Sequence, residues 1–202
     1  MTASNNANQE WEDKYIRKGD AHKWQNKTIT ADFVKALADN GKMYKVLKSS
    51  QKVLEVGCGT GDLSAWIAGE FGSDVTGIDI STRAIAIAKN EFHNCRFETK
   101  SYEAITDKYD LIVSSNTLEH FKNIHGVLRA WFDIAPLVML IIPYKQVLGM
   151  IADQAEGGLK HVSAFDDDSF IGYKVIDRFT FKTDGWQIGE NPRMLAVLIA
   201  RG

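Results

Sequence analysis

Cysteine is scarce, with two residues in a chain of 202, Cys58 and Cys95. Two isolated thiols make no disulfide framework and lack the paired spacing of a zinc centre, so no metal site is expected. Both read as small packing residues. Charge of one sign is also missing: 24 Lys and Arg face 26 Asp and Glu, a net charge of -2. That balance argues against a nucleic-acid footprint. The early cations Lys14, Arg17, Lys18, Lys23 and Lys27 have acids among them and read as a solvated face. No apolar run reaches membrane-spanning length, since Leu137 to Ile142 is only a strand's worth. Met1 to Asn6 is polar and carries no apolar signal segment. Internal repeats and low-complexity segments are absent. These absences set the expectation of a cytoplasmic protein with neither a membrane nor a nucleic-acid partner, forming a single domain over residues 1–202. The oligomeric state is not legible.

What is present is a regular alternation. Val53, Leu54 and Val56 form a short apolar run broken only by Glu55, and three glycines on alternate positions, Gly57, Gly59 and Gly61, end it. Helical periodicity follows from Leu63 to Ala68. Further strands are expected at Asp74 to Ile78, Arg96 to Thr99, Tyr109 to Ser114 and Leu137 to Ile142. Between them lie a helix capped by Ser81, short helical turns at Tyr102 to Ile105 and Thr117 to Phe121, and a helix over Ile124 to Ala135. That last helix has Val127, Leu128, Trp131 and Phe132 on its inner face. Strand and helix alternating at this spacing give a parallel sheet with helices on both faces.

The ends of the chain break the rhythm. Residues 1–8 are expected to be disordered, Gln9 to Gly19 to form a short helix, and His22-Lys23-Trp24 to be irregular. A second helix begins near Thr30-Ala31-Asp32 and breaks at Asn40-Gly41. The segment 1–50 is thus a helical cap, either packed on the sheet or lying over the glycine turn. In 143–202, a polar loop with Gly157-Gly158 leads to a helix start at Asp166 to Ser169. Runs at Val175 to Phe181 and Met194 to Ala200, with Trp186 and Pro192 between them, then form an antiparallel hairpin.

A strand, a glycine turn and a helix start form a place where backbone meets a ligand without side chains in the way. Asp79 follows Gly61 by 18 residues, at the end of the second strand, where an acid accepts hydrogen bonds from ribose hydroxyls. The turn reads G-x-G-x-G, not the G-x-G-x-x-G of a pyrophosphate site, and Asp62 stands where the last glycine would pack. An acid there repels a diphosphate. A phosphate-free adenosine ligand with a cationic or zwitterionic tail is the better electrostatic match.

With these residues in place, Val53 to Gly61 resembles the first motif of class I S-adenosylmethionine-dependent methyltransferases, and Gly77 to Ser81 their second-strand motif. Tyr109 to Phe121, ending in Leu118-Glu119-His120-Phe121, resembles the fourth-strand motif of the small-molecule branch. The resemblance covers about residues 50–142 and implies an α/β, Rossmann-like sheet of seven mostly parallel strands with the last antiparallel. It also implies that 51–142 is the donor-binding core, that S-adenosylmethionine is bound and that S-adenosylhomocysteine is released. Glu55 and Gly57 are implied to line the methionine and ribose region, and Gly59 and Gly61 to let backbone meet the ligand. Asp79 takes the ribose hydroxyls, Ile80 lies on the adenine, Ser101 and Tyr102 contact it, and Ser114 sits beside the methionine tail. The acid the family usually carries after the third strand is missing from Lys100-Ser101-Tyr102, leaving Ser101 or Glu103 for the adenine amino group.

A sulfonium is a good leaving group, so the protein mainly aligns donor and acceptor, and a hydroxyl acceptor is helped by a general base. His120, just past the fourth strand, and His161, in the segment after the fifth, are the candidates; packing or loop anchoring is the bland alternative for each. Tyr144 is a lesser candidate for the acceptor side, and His22 and His125 rank lower. The fourth-strand end, Ser115-Asn116-Thr117, lacks the Asn/Asp-Pro-Pro-Tyr of the nucleic-acid and protein amino-methylating branches. A small-molecule acceptor is therefore expected, with oxygen favoured over nitrogen or carbon. Two other readings compete: a non-catalytic S-adenosylmethionine-binding partner subunit, and a nicotinamide oxidoreductase, which the glycine spacing disfavours.

Overall fold

The computed structural model describes residues 3–145, 161–185 and 193–202; within its first helix, residues 3–8, 14 and 17–22 are described as backbone alone. Gly157-Gly158, Trp186 and Pro192 lie outside the described residues. Twelve elements carry the architecture: α1 (Ala3–Leu37), α2 (Gly41–Ser49), β1 (Lys52–Val56), α3 (Asp62–Phe71), β2 (Asp74–Asp79), α4 (Thr82–Glu91), β3 (Arg96–Thr99), β4 (Leu111–Ser115), α5 (Ile124–Ile134), β5 (Leu137–Pro143), β6 (Lys174–Lys182) and β7 (Arg193–Ala200). Short 3-10 turns occur at Tyr102–Ala104 and Leu118–His120. Among the described residues no helix is long and apolar enough to cross a membrane.

All seven strands join one sheet in the order β3-β2-β1-β4-β5-β7-β6. Strands β1 to β5 pair in parallel, and β7 runs antiparallel to both neighbours, β5 and β6. The C-terminal hairpin therefore folds back so that its second strand, not its first, meets the parallel sheet. The β7 sequence explains this placement: Met194 to Ile199 is apolar at every position and buried, as a strand covered on both faces must be. Strand β6, with Lys174, Asp177, Arg178 and Lys182, suits the edge.

Because successive side chains on a strand point to opposite faces, each buried strand feeds two cores. Val53, Leu111, Val113, Met139, Ile141, Ala196 and Leu198 pack with α1, α2 and α3 through Phe33, Leu37, Met43, Leu47 and Ile67. Leu54, Val56, Ile112, Leu140, Ile142 and Val197 pack on the other face with α5 through Val127, Leu128, Trp131 and Phe132. The helices thus cover both faces as expected.

Three local expectations need correction. The chain from Ala3 to Leu37 is one helix, without the expected disorder before residue 9, the break at Gly19 or the new start at Thr30. A helical glycine costs only about 1 kcal/mol against alanine. Tertiary contacts on both sides of Gly19, from Glu12 and Tyr15 before it and Ile29 and Phe33 after it, outweigh that cost. The second correction is at Asp166 to Ser169, a turn and not a helix start. There the Asp166 carboxylate accepts from Asp168 N (3.0 Å) and Ser169 Oγ (2.8 Å), which gives the backbone a local alternative to helix. The third concerns the cap, which is not an either-or. The second half of α1 is core and the first half lies at the glycine turn. The break at Asn40-Gly41 does occur, and Asn40 Oδ1 caps α2 by accepting from Met43 N at 3.3 Å.

Phe33 tests whether α1 is structural. It is fully buried and stacks against Phe179 with a ring separation of 6.1 Å, with Trp66 edge-on. Phe33→Ala is expected to cost about 3–5 kcal/mol, read as a fall in the urea midpoint at unchanged slope. A loss below about 1 kcal/mol would mean that the helix is only an appendage.

Candidate active site

In an open parallel sheet a ligand sits beyond the carboxyl ends of the strands, where the strand order reverses. Here the reversal falls between β1 and β4, and the segments leaving β1, β2, β3 and β4 all emerge at that edge. The segment after β1 uses its glycines: Gly57, Gly59 and Gly61 all take positive φ, at 73°, 52° and 87°, which glycine adopts without steric cost. A side chain is also excluded by space. A Cβ on Gly57 would lie 2.1 Å from Thr117 Oγ1, and one on Gly59 2.5 Å from Asn26 Nδ2 and 2.7 Å from the Tyr15 hydroxyl. One on Gly61 would lie 2.6 Å from the Phe97 ring. Gly61 thus serves the close packing of α3 on β3, while Gly59 faces the side chains that α1 brings over the turn.

Main-chain and carboxylate bonds hold this turn. Gly57 N and Cys58 N both donate to Ile78 O, at 2.8 and 3.0 Å. The Asp79 carboxylate accepts from Gly59 N through Oδ2 (2.9 Å) and from Ser81 N through Oδ1 (2.8 Å). Burial pushes the Asp79 carboxyl up, against the pull of those N–H donors. Asp62 opens α3 and accepts from Thr60 Oγ1 at 2.7 Å; its carboxyl too is raised by burial. Below the turn Glu55 is 2% exposed, faces Ser64 of α3 and accepts its hydroxyl. Burial pushes Glu55 up to about 8, with the nearby Asp62 and Asp79 adding to it. Cys58 is buried and its thiol is driven well above its ordinary value, which fits a packing role and not a nucleophile.

The other candidate donor contacts fall along the same edge, with differing freedom. Ile80 is half-buried, directly after Asp79. Ser101 begins the 3-10 turn after β3 and donates to Glu103, so the two groups considered for the adenine amine are bonded to each other. Tyr102 lies edge-on to Phe121 (5.8 Å) and Trp131 (6.1 Å), and burial raises its hydroxyl to about 12. Ser114 is buried and its hydroxyl donates to Val56 O at 2.8 Å, tying β4 to the end of β1. Directly after β4 comes Asn116. It is a left-handed non-glycine residue (φ 49°) whose buried Oδ1 has no partner among the described residues.

Beyond the end of β4 the fold joins the two candidate bases. The His120 and His161 rings meet edge-to-face at 4.9 Å, and Trp11 of α1 meets His120 the same way at 5.1 Å. Glu119, wholly buried, places Oε1 4.0 Å from His161 Nε2. The join is made by backbone: Val162 N and Ser163 N donate to Glu119 O at 2.9 and 3.1 Å, and Ser163 Oγ to Phe121 O at 2.7 Å. Tyr144 points elsewhere, donating to Asp167 at 2.8 Å, and His125 lies on Tyr173 with its Nδ1 3.0 Å from the hydroxyl. The side chain of His22 lies outside the described residues.

Several participants escaped sequence reasoning. Glu12 accepts from Thr82 N, Arg83 N and Ser81 Oγ, adding a carboxylate to the N-terminus of α4. Asn26 reaches Thr60 Oγ1 at 3.2 Å. Tyr15, by contrast, is among the early aromatics (Trp11, Tyr15, Trp24) whose place in the helical cap the sequence suggests, and it is buried against the turn. Asn116 did carry a signal, since asparagine directly after an apolar strand is the non-glycine residue most at ease in left-handed backbone.

Residues 22–177 match a family model described as a methyltransferase domain. Phosphoethanolamine N-methyltransferase 1 of Zea mays is 34% identical over 95 residues, 43% of this chain and 19% of that protein. Ubiquinone biosynthesis O-methyltransferase of Glaesserella parasuis serovar 5 (strain SH0165) is 33% identical over 92 residues, 40% of this chain and 39% of that protein. The chain thus matches well under half the length of these relatives. The crystal structure of magnesium protoporphyrin IX methyltransferase from Synechocystis PCC 6803 with bound SAH superposes with a TM-score of 0.64. That superposition covers 96% of this chain and 94% of that one at 17% identity, a likeness of fold.

The buried Glu55 makes stability depend on pH. Its carboxyl titrates at about 8 when folded and near 4.5 when unfolded, so between these values the unfolded chain releases the proton first. Stability is therefore full below about pH 4.5 and is lost as pH rises toward 8. Glu55→Gln is expected to abolish that loss, which amounts to a few kcal/mol. Urea unfolding of both proteins at pH 5.5 and pH 8 checks it; parallel changes in the two would show that Glu55 ionises normally.

Proposed function

The chain belongs to the methyltransferase-domain family, and we propose that its site binds S-adenosylmethionine and passes the methyl group to a small-molecule acceptor, oxygen in preference to nitrogen or carbon. One observation carries this reading. A left-handed glycine turn and the Asp79 carboxylate share the reversal edge of the sheet with a histidine pair brought in from two separate segments.

The donor half follows from the chemistry of the turn. Asp79 accepts the ribose hydroxyls on the lone pairs its two N–H partners leave available, and Ile80 lies against the adenine. The edge holds Asp62, Asp79 and Glu12 and so suits a sulfonium with an ammonium tail better than a diphosphate. Asn116 Oδ1, an acceptor without a described partner, suits that ammonium. Glu12, Tyr15 and Asn26 make this stretch of α1 a cover over the turn that excludes water from the charged donor.

The acceptor half rests on His120 and His161. Methyl transfer forms an O–C bond as the S–C bond breaks, with the electron pair leaving on sulfur and the acceptor's proton passing to an imidazole. Glu119 Oε1 lies 4.0 Å from His161 Nε2, beside the pair.

Calorimetry with S-adenosylhomocysteine and, separately, NAD tests the donor half. Binding of the first and none of the second is expected, and binding of NAD alone would sink the proposal. Asp79→Asn is expected to weaken S-adenosylhomocysteine by about 1.5–3 kcal/mol, and unchanged affinity would remove the ribose role. For the acceptor half, turnover over a panel of hydroxylated and amine acceptors is expected to favour hydroxyls. His120→Ala or His161→Ala should lower kcat by about 10²–10⁴-fold. No turnover with any acceptor, despite tight donor binding, would favour a binding subunit.

A further inference from the structure

Glu119 raises a question that methyl transfer alone leaves open. A carboxylate with no exposed surface costs several kcal/mol unless positive charge or hydrogen bonds compensate it. Around it the fold gathers two imidazoles from different stretches, and a carboxylate oxygen of Glu119 and a ring nitrogen each of His120 and His161 all lie within 4.8 Å of one another. We propose that these three residues form a binding site for one divalent transition-metal ion, held by two imidazole nitrogens and one carboxylate oxygen.

Geometry, donor type and support agree. A metal with ligands at about 2.0–2.2 Å holds them roughly 3.3–3.5 Å apart, so the 4.0 Å between Glu119 Oε1 and His161 Nε2 closes with small side-chain rotations. Two nitrogens and one oxygen suit zinc, iron(II), cobalt or manganese, and not magnesium or calcium, which take oxygen shells. Three protein ligands leave at least one position open, the pattern of a working site and not of a structural one. The ligands are also braced: Val162 N and Ser163 N bind Glu119 O, and the Trp11 ring sits edge-on against His120.

In this state the imidazoles are ligands. The acceptor hydroxyl would take the open position, where the metal would lower its pKa and let its proton pass to solvent. The oxygen would then bond to the methyl carbon as the S–C bond breaks and its electron pair leaves on sulfur. That role rests on the methyl-transfer reading, but metal binding itself does not. The acceptor class becomes narrower: a hydroxyl able to coordinate a metal, in place of an amine.

The test uses the full chain, stripped with EDTA and titrated with Co²⁺, following the visible ligand-field band. One Co²⁺ per chain is expected, displaced by Zn²⁺, with affinity at least about 10-fold weaker in each of Glu119→Gln, His120→Asn and His161→Asn. Circular dichroism confirms that each variant is folded. His161→Asn, on the segment after β5, keeps the test open if Glu119→Gln does not fold. No saturable band, or a one-to-one band that survives in His161→Asn, overturns the site, whatever the outcome with S-adenosylhomocysteine. A metal site in a chain that binds no S-adenosylhomocysteine would leave the site standing and remove the methyl-transfer reading.

Discussion

The Asp79 carboxylate is the clamp on which the donor edge depends. One of its oxygens holds Gly59 N in the turn after β1, and the other holds Ser81 N at the start of α4. It therefore sets the separation of the segments that follow β1 and β2. The clamp costs something, because three acids, Glu55, Asp62 and Asp79, are gathered under one turn and each is pushed toward its neutral form. Glu55 yields furthest and stays protonated at neutral pH, which spares the turn one of three negative charges.

Helix α1 answers the same constraint from the other side. Its second half is core, with Ile29, Phe33 and Leu37 buried against α3 and the sheet. That anchoring lets its first half extend over the turn without a tertiary core of its own. There Glu12 meets the N-terminus of α4, Tyr15 meets Gly59, and Trp11 meets His120. A single rigid element thus spans from the donor turn to the histidine pair. A break at Gly19 would have uncoupled the two.

Much of the fold was legible because strand and helix here differ in both period and apolar content. The seven strands, the Ser81 cap and the inner face of α5 follow from side-chain pattern alone. The continuity of α1 did not, since it depends on contacts across the fold that outweigh a local glycine penalty. The glycine turn was legible as a turn open to backbone approach. The differing duties of its glycines were not, because whether Thr117, Tyr15 or Phe97 fills the space opposite is decided by chain packing. In the same way, Ser114 was readable as lying at the strand end, but not that its hydroxyl would be taken by Val56 O.

The histidine cluster shows where reading in one dimension stops. Glu119 and His120 are adjacent and His161 lies beyond the whole of α5 and β5, a spacing that matches no metal or catalytic pattern. The fold brings them together because the segment after β5 returns to the edge where β4 ends, and main-chain bonds to Glu119 O fasten it there. A buried carboxylate with two imidazoles is thus a product of sheet order: β5 neighbours β4, so the segments leaving them meet. The glycine-turn edge is assembled from consecutive units, β1 to α4, and is visible as consecutive motifs. The histidine cluster is assembled across the sheet order, and only its separate residues are visible in the chain.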